Sequence, residues 1–204
     1  MPSKPSTLRA RQAQFTRDEI LGAARRLFAE QGYSRTTVRD IAEAAGVSAQ
    51  TVYDSSGSKQ AIVARLNDLI DVEADIASIV GANMGSNDPA QILAVQAKVV
   101  RSILEHCGDI VRALVTGAAA EPDLALVLAE GHRRHVEGTH RIVGVLAGLD
   151  ALDPSVTADA AVATLSATTD VSFGVMLADL YGWSLDEIET WMVATNRRLL
   201  LRGG

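Results

Sequence analysis

Apolar residues recur every three or four positions along most of this chain, the spacing of helices with one buried face. Ile20, Ala23, Ala24, Leu27 and Phe28 set out the first such stripe. Thr16-Arg17-Asp18-Glu19 fits a capping box and predicts where that helix starts, and Gly32 predicts where it ends. Thr37 then caps a second helix whose Val38, Ile41, Ala42 and Ala45 face inward. Gly46 breaks it, Val47 plugs the corner, and Ser48 caps a third helix running through Tyr53.

Helical periodicity continues beyond this block, while β-branched runs stay short and Ala and Leu dominate. Ser58 can cap a fourth helix carrying Ile62, Leu66, Leu69, Ile70, Ile76 and Ile79 and ending near Gly81, a rod of about 20 residues. Residues 81–88 read as a loop, and Asp88-Pro89-Ala90-Gln91 restarts a helix. Gly108-Asp109 predicts a break before a short helix ending near Ala120. Glu121-Pro122-Asp123 opens another helix to about Gly148, and Asp153-Pro154 begins a long one through Tyr181. Ser184-Leu185-Asp186-Glu187 is a further capping box at the start of the last helix. The expectation is an all-α chain of about nine helices. Its penultimate helix is apolar most of the way round, through Val162, Leu165, Val171, Phe173, Val175, Met176, Leu177 and Leu180; Trp183, Trp191, Leu199 and Leu200 follow. Such faces fit either an ordinary core or pairing with a second copy.

Two short helices joined by a tight glycine turn form the arrangement that lays its second helix in the DNA major groove. The order Gly32-Tyr33, Thr36-Thr37-Val38, Ile41-Ala42, Ala45-Gly46-Val47-Ser48, Thr51-Val52-Tyr53 and Gly57-Ser58-Lys59 resembles the DNA-binding domain of TetR-type transcriptional regulators. The family usually carries His and Phe two and three positions after the tyrosine, where this chain has Ser55 and Ser56. The resemblance implies a helix-turn-helix domain over residues 1–60, with a basic N-terminal arm, and a helical effector-binding and dimerisation domain over residues 61–204. It also implies a homodimer paired through the last two helices, binding a palindromic double-stranded DNA operator.

Charge sharpens this division. The chain carries a net charge of −6, yet residues 1–59 hold nine Lys/Arg against six Asp/Glu, a net of +3, and the remainder holds ten against nineteen, a net of −9. Attraction to phosphate is thereby confined to the head. Lys4, Arg9 and Arg11 precede any acidic residue, and the Pro and Ser around them suggest a disordered arm able to reach a minor groove. Cys107 is the single cysteine, which suits a reducing compartment. No signal peptide is visible and no segment reaches the roughly 18 uninterrupted apolar residues of a membrane span, so a soluble, cytoplasmic protein is expected.

The candidate chemistry is that of recognition. Thr37 and Ser48 sit at helix starts, where backbone N–H groups favour an anion. Arg39, Ala49 and Gln50 suit guanine, a thymine methyl and adenine respectively, and Thr51 and Tyr53 lie on the same recognition helix. In the family it resembles, positions such as Tyr53 and Lys59 hold the DNA backbone. For an effector, His132, Val136, Thr139 and Val143 share one helix face, and Leu165, Thr169, Ser172 and Met176 share a face of the next long helix. If these faces meet, they suit a small, largely apolar molecule with one hydrogen-bonding or acidic end; a packed core is the other reading. No cofactor and no metal site is expected. His132 and His135 are three apart but lack a ligand-like third partner, and His106 and Cys107, as sequence neighbours, do not face each other on a helix. No nucleotide or nucleophile motif points to an enzyme. Two readings remain: a ligand-responsive regulator, most readily a repressor, or a helical binding protein whose head no longer recognises DNA, which Asp54, Ser55 and Ser56 leave open.

Overall fold

A computed structural model describes residues 5–203, and eleven helices are found among them. They are α1 (Pro5–Gln31), α2 (Val38–Ala44), α3 (Ala49–Ser56), α4 (Lys59–Glu73), α5 (Ile76–Met84), α6 (Pro89–Leu93), α7 (Val95–Gly117), α8 (Pro122–Gly148), α9 (Ala158–Thr168), α10 (Val171–Tyr181) and α11 (Leu185–Leu200). The all-α expectation holds. The chain divides into two compact units, one covering residues up to Asp68 with Ala113–Val127, the other covering Leu69–Arg112 with residues from Leu128 onward. The first unit therefore includes a segment, 113–127, that a single cut at residue 60 assigns to the second domain.

In the first unit, α1 buries Ile20, Ala23 and Ala24 completely, and its neighbours are α2 and α3. Its start differs from the expected capping box. Thr16 lies inside the helix and donates its hydroxyl to the Gln12 carbonyl at 3.0 Å. Leu, Ala, Arg and Gln fill residues 8–14, all good helix formers with no breaker among them, so the helix propagates through the segment expected to be a disordered arm. Lys4 lies outside the described residues. Gly32 closes α1 at φ +85°, a conformation that a side chain resists. Thr37 then caps α2 as anticipated, accepting from the Asp40 N–H at 3.2 Å while the Asp40 carboxylate accepts from the Thr37 N–H at 2.8 Å. The bond from the Thr37 N–H, and then the Thr37 hydroxyl, hold the Asp40 carboxyl below its ordinary pKa. Ser48 caps α3 by accepting from Thr51 N–H at 3.0 Å, and Val52 buries that helix against the others.

The expected long fourth helix is shorter. It ends at Glu73, where Asp75 adopts left-handed backbone (φ +48°) before α5 begins.

The core of the second unit is made from Ile92, Leu93, Val95, Val99, Ile142, Val143, Leu146, Ala161, Val162, Leu165, Leu200 and Leu201. Three expected boundaries move. The break foreseen at Gly108-Asp109 is a kink at Cys107 (φ −130°, ψ 17°) within α7. Asp153 does not open a helix; its carboxylate accepts from the Ser155 N–H and hydroxyl in a turn, and α9 starts only at Ala158, behind Thr157. The long penultimate helix is interrupted at Thr169-Asp170, where the Asp170 carboxylate accepts from Ser172 N–H and caps α10. Residues 158–181 are apolar and long enough to cross a membrane by composition, but they form two eleven-residue helices that are partly buried in the protein. The Ser184–Glu187 capping box opens α11 as expected.

Candidate nucleic-acid interface and effector cluster

Along α3 the side chains divide by depth. Val52 is fully buried and Ser56 nearly so, while Ser48, Gln50, Tyr53 and Asp54 are exposed and Ala49 and Thr51 half-buried. Tyr53 is 54% exposed, a large exposed ring on a short helix. The Gln50 amide donates to Asp54 Oδ1 at 2.8 Å, which fixes its orientation one turn along. Ser48 and Thr51 share a hydroxyl–hydroxyl bond of 2.8 Å. Thr37 and Arg39 are exposed at the start of α2. These residues thus form an exposed surface built of two helix starts, an amide, a phenol and a guanidinium. Such a surface can meet phosphate through backbone N–H groups and bases through side chains.

Lys59 is placed differently from the solvent-facing ammonium that phosphate contact requires. Its Nζ donates to the carbonyl oxygens of Tyr33 (2.9 Å) and Thr36 (3.1 Å) and lies 3.9 Å from the centre of the Tyr33 ring. The turn between α1 and α2 exposes carbonyls that no helix satisfies, and a lysine at the first position of α4 reaches them.

Tyr33 joins further groups that the sequence reading missed. Its ring packs 5.2 Å from Phe28, and its hydroxyl donates to Asp123 Oδ2 at 2.9 Å. Burial, and then the Asp123 carboxylate, push the phenol pKa well above its ordinary value. The neighbouring Ser34 hydroxyl bonds to Glu121. Some ninety residues separate these partners, so no local pattern announces them; Glu121 and Asp123 read in sequence simply as acidic residues at a helix start.

In the second unit the expected effector residues are only partly brought together. Thr139, Val143, Leu165 and Thr169 are buried, and Val136 and Ser172 are half-buried. Met176 is exposed instead, on α10, which starts afresh after the break at Asp170 and is not a continuation of α9. His132 is also exposed, its Nδ1 3.0 Å from Asp170 Oδ2. The carboxyl of Asp170 is pushed up by burial, but the bonds from Ser172 and His132 prevail and hold it below its ordinary pKa.

The inward histidine is His135. Its Nε2 is 3.0 Å from the Ser166 carbonyl, so the neutral Nε2–H form donates there, and burial holds its pKa below the ordinary imidazole value. Gln96 Nε2 donates to Thr139 Oγ1 at 2.8 Å and to the His135 carbonyl at 3.2 Å. Ser166 Oγ is buried with no hydrogen-bond partner. Gln96, His135 and Ser166 could have been suspected only as polar residues on apolar faces. Among the described residues no three His, Cys, Asp or Glu side chains are grouped to hold a metal ion.

Comparison with known proteins agrees with this geometry. Residues 20–66 match the family model for bacterial regulatory proteins of the tetR family. The HTH-type transcriptional regulator TcmR of Streptomyces glaucescens is 32% identical over 158 residues, 74% of this chain and 67% of TcmR. Two solved structures share the fold: SmeT in complex with triclosan (TM-score 0.74, 19% identity, 93% of each chain) and native NalD of Pseudomonas aeruginosa, described as the secondary repressor of the MexAB-OprM multidrug efflux pump (TM-score 0.74, 22% identity, 94% of this chain and 100% of NalD). With a relative of that identity and coverage, a matching helix-turn-helix and an all-α body, this chain belongs to the TetR family of DNA-binding transcriptional regulators, not to a class of enzymes.

Proposed function

We propose that this protein is a homodimeric repressor that leaves a palindromic operator when a small, largely apolar effector binds. The exposed row of Gln50 and Tyr53 on a helix anchored by fully buried Val52 carries the DNA half of the reading. Thr37, Arg39, Ser48, Ala49 and Thr51 extend that row. Two such surfaces on one dimer would read half-sites related by two-fold symmetry.

Pairing through α10 and α11 is supported by the apolar side chains these helices leave in solvent. Leu180 is 71% exposed, Tyr181 62% and Leu199 49%. On α11 itself, Glu189, Thr190, Val193, Ala194, Arg197 and Arg198 line an open groove of about 570 Å³. An exposed stripe of this kind on terminal helices is characteristic of a surface that a second copy covers.

The effector reading rests on Thr139, Val143, Leu165 and Thr169, with Gln96 and His135 as polar groups. These side chains are packed in the core of the second unit; if they part to admit a guest, an imidazole, an amide and hydroxyls among apolar groups fit a molecule with one hydrogen-bonding end. The triclosan bound by SmeT is a molecule of this general character. A protein with these partners works in the cytoplasm, where DNA and inducer meet.

Selection of bound sequences from random duplex DNA, followed by affinity measurements at two salt concentrations, tests the reading. A two-fold symmetric site whose affinity falls steeply with salt supports it. Gln50→Ala should then relax preference at one position per half-site, costing about 1–3 kcal/mol there. Absence of binding at low salt would leave a helical small-molecule-binding protein instead.

A further inference from the structure

We infer that Arg65, in the second turn of α4, is a positioning residue for the recognition helix: it grips the carbonyl end of α3 and holds the direction in which Gln50 and Tyr53 are presented. That role rests on the regulator reading of α3 and adds a residue outside the helix-turn-helix. Both partners of the bond belong to the first unit.

At eight residues α3 is short, so its pose depends on how each end is held. Its start is fixed by Ser48, whose hydroxyl accepts from the Thr51 N–H at 3.0 Å. Val52 is fully buried at its middle. The next inward position, four residues on, is Ser56, which is buried but brings no apolar side chain, and its Oγ has no hydrogen-bond partner. A serine there supplies little of the burial energy that an apolar side chain gives. The apolar hold on α3 therefore ends at Val52.

The last turn of the helix is held by polar contacts instead. The Gly57 N–H donates to the Tyr53 carbonyl at 3.1 Å, and the Ser55 hydroxyl donates back to the Thr51 carbonyl at 2.5 Å. The Ser55 carbonyl is one of the terminal four that have no partner within their own helix, and it accepts from Arg65 Nη1 at 3.0 Å. A cation at this end also meets the negative end of the helix dipole. The bond spans ten residues and the turn after Gly57, so it braces α3 against α4 and is not a local cap. Lys59 makes the matching contact from the start of α4, to the carbonyls of Tyr33 and Thr36. Two cations of one helix thus grip backbone carbonyls before α2 and after α3, and the helix-turn-helix lies between them in sequence. Arg65 is otherwise exposed, so the competing role is a direct contact with DNA phosphate.

The test uses the full chain with Arg65→Met, which keeps the stem and loses the donor, and with Arg65→Lys, whose ammonium can reach the same carbonyl. Backbone hydrogen exchange over residues 49–57 reads the hold on α3 directly. Arg65→Met should speed exchange in the last turn of α3 by about threefold or more and leave α2 unchanged, and Arg65→Lys should restore most of the protection. Affinity is then measured for a duplex selected by the intact chain and for an unrelated duplex of the same length. Arg65→Met should lower the ratio of the two affinities about threefold or more with the salt slope unchanged, because a misdirected α3 loses base contacts before phosphate contacts. Exchange in α3 indifferent to Arg65→Met, or an unaltered affinity ratio, would overturn the inference. So would an equal loss on both duplexes with a slope shallower by about one unit, which would make Arg65 a phosphate contact. An intact chain that selects no duplex at low salt overturns the regulator reading instead, and the exchange rates still decide whether Arg65 holds α3.

Discussion

The Lys59 ammonium lies 3.9 Å from the centre of the Tyr33 ring and donates 2.9 Å to the carbonyl oxygen of the same residue. A charge is thus bound to both the backbone and the π-face of one buried side chain, and a third contact goes to the Thr36 carbonyl. Hydrogen bonds from a charged donor contribute about 1.5–3 kcal/mol, and a cation over an aromatic face about 0.5–2 kcal/mol. Lys59→Ala is therefore expected to lower unfolding stability by roughly 2 kcal/mol, measured by urea denaturation. The salt dependence of DNA affinity should hardly change. A slope shallower by one ion with stability intact would instead assign the ammonium to a phosphate.

Ser56 stands where relatives of this helix-turn-helix usually place an aromatic residue. The structure keeps the position buried, at 1% exposure, and leaves Ser56 Oγ without a hydrogen-bond partner. Ser55, by contrast, turns its hydroxyl back to the Thr51 carbonyl at 2.5 Å. Removing an unsatisfied buried hydroxyl without changing backbone preference much should help folding, so Ser56→Ala is expected to stabilise the protein by about 1 kcal/mol. A rise in the urea midpoint at constant m-value checks this; a fall would mean that the hydroxyl has a partner in solution.

His135 makes stability depend on pH with a definite sign. Burial holds its folded-state pKa below the unfolded value of 6.5, so the unfolded chain takes up the proton first as pH falls. Binding more protons in the unfolded state means that stability rises with pH through this window. The contribution is complete above about pH 6.5 and is lost as pH drops through the region between that value and the lower folded-state pKa. Asp170 also loses stabilisation on acidification, but only once the pH falls below the ordinary carboxylate value near 3.8, well beneath the pH at which the loss from His135 begins. Denaturation of the native chain and of His135→Gln at pH 7.5, 6 and 5 should show a smaller decline in the variant. Parallel declines would place the imidazole in solvent.

What the sequence made legible follows from locality. Thr37, Ser48 and Ser184 are readable as caps because a hydroxyl three residues before the N–H it satisfies is a local relation. The stripe of Ile20, Ala23 and Ala24 was equally local. Breaks were harder to see. At Asp75 and at Thr169-Asp170 the apolar spacing runs on and no Gly or Pro stands at the break itself, so periodicity carries a reader straight across them. A helix face carried across the second break points Met176 inward, yet Met176 is exposed. The tie from Tyr33 to Asp123 and the bond from Gln96 to Thr139 join residues far apart in the chain, and nothing in either local sequence demands a partner.

The first turns of α1 make the last prediction. Residues 8–15 are exposed on every face, including Leu8 at 71% and Phe15 at 60%, and Arg9 and Arg11 lie among them with no acidic residue before Asp18. A helical segment of this length without tertiary contact is marginal in water, so its helicity depends on continuity with the buried part of α1. Being helical, it presents Leu8, Arg11 and Phe15 on one side instead of trailing as a loose arm. If this helix lies along DNA, Arg11 on that side and the long Arg9 side chain reaching from its flank neutralise phosphates and release counterions. Deleting residues 2–12 should then lower affinity for the selected site several-fold at low salt and shallow the salt slope by about two units, with unfolding stability nearly unchanged. Arg9→Ala with Arg11→Ala should reproduce the slope change with the helix intact. Equal affinity and slope for all three proteins would show that the segment does not touch the duplex.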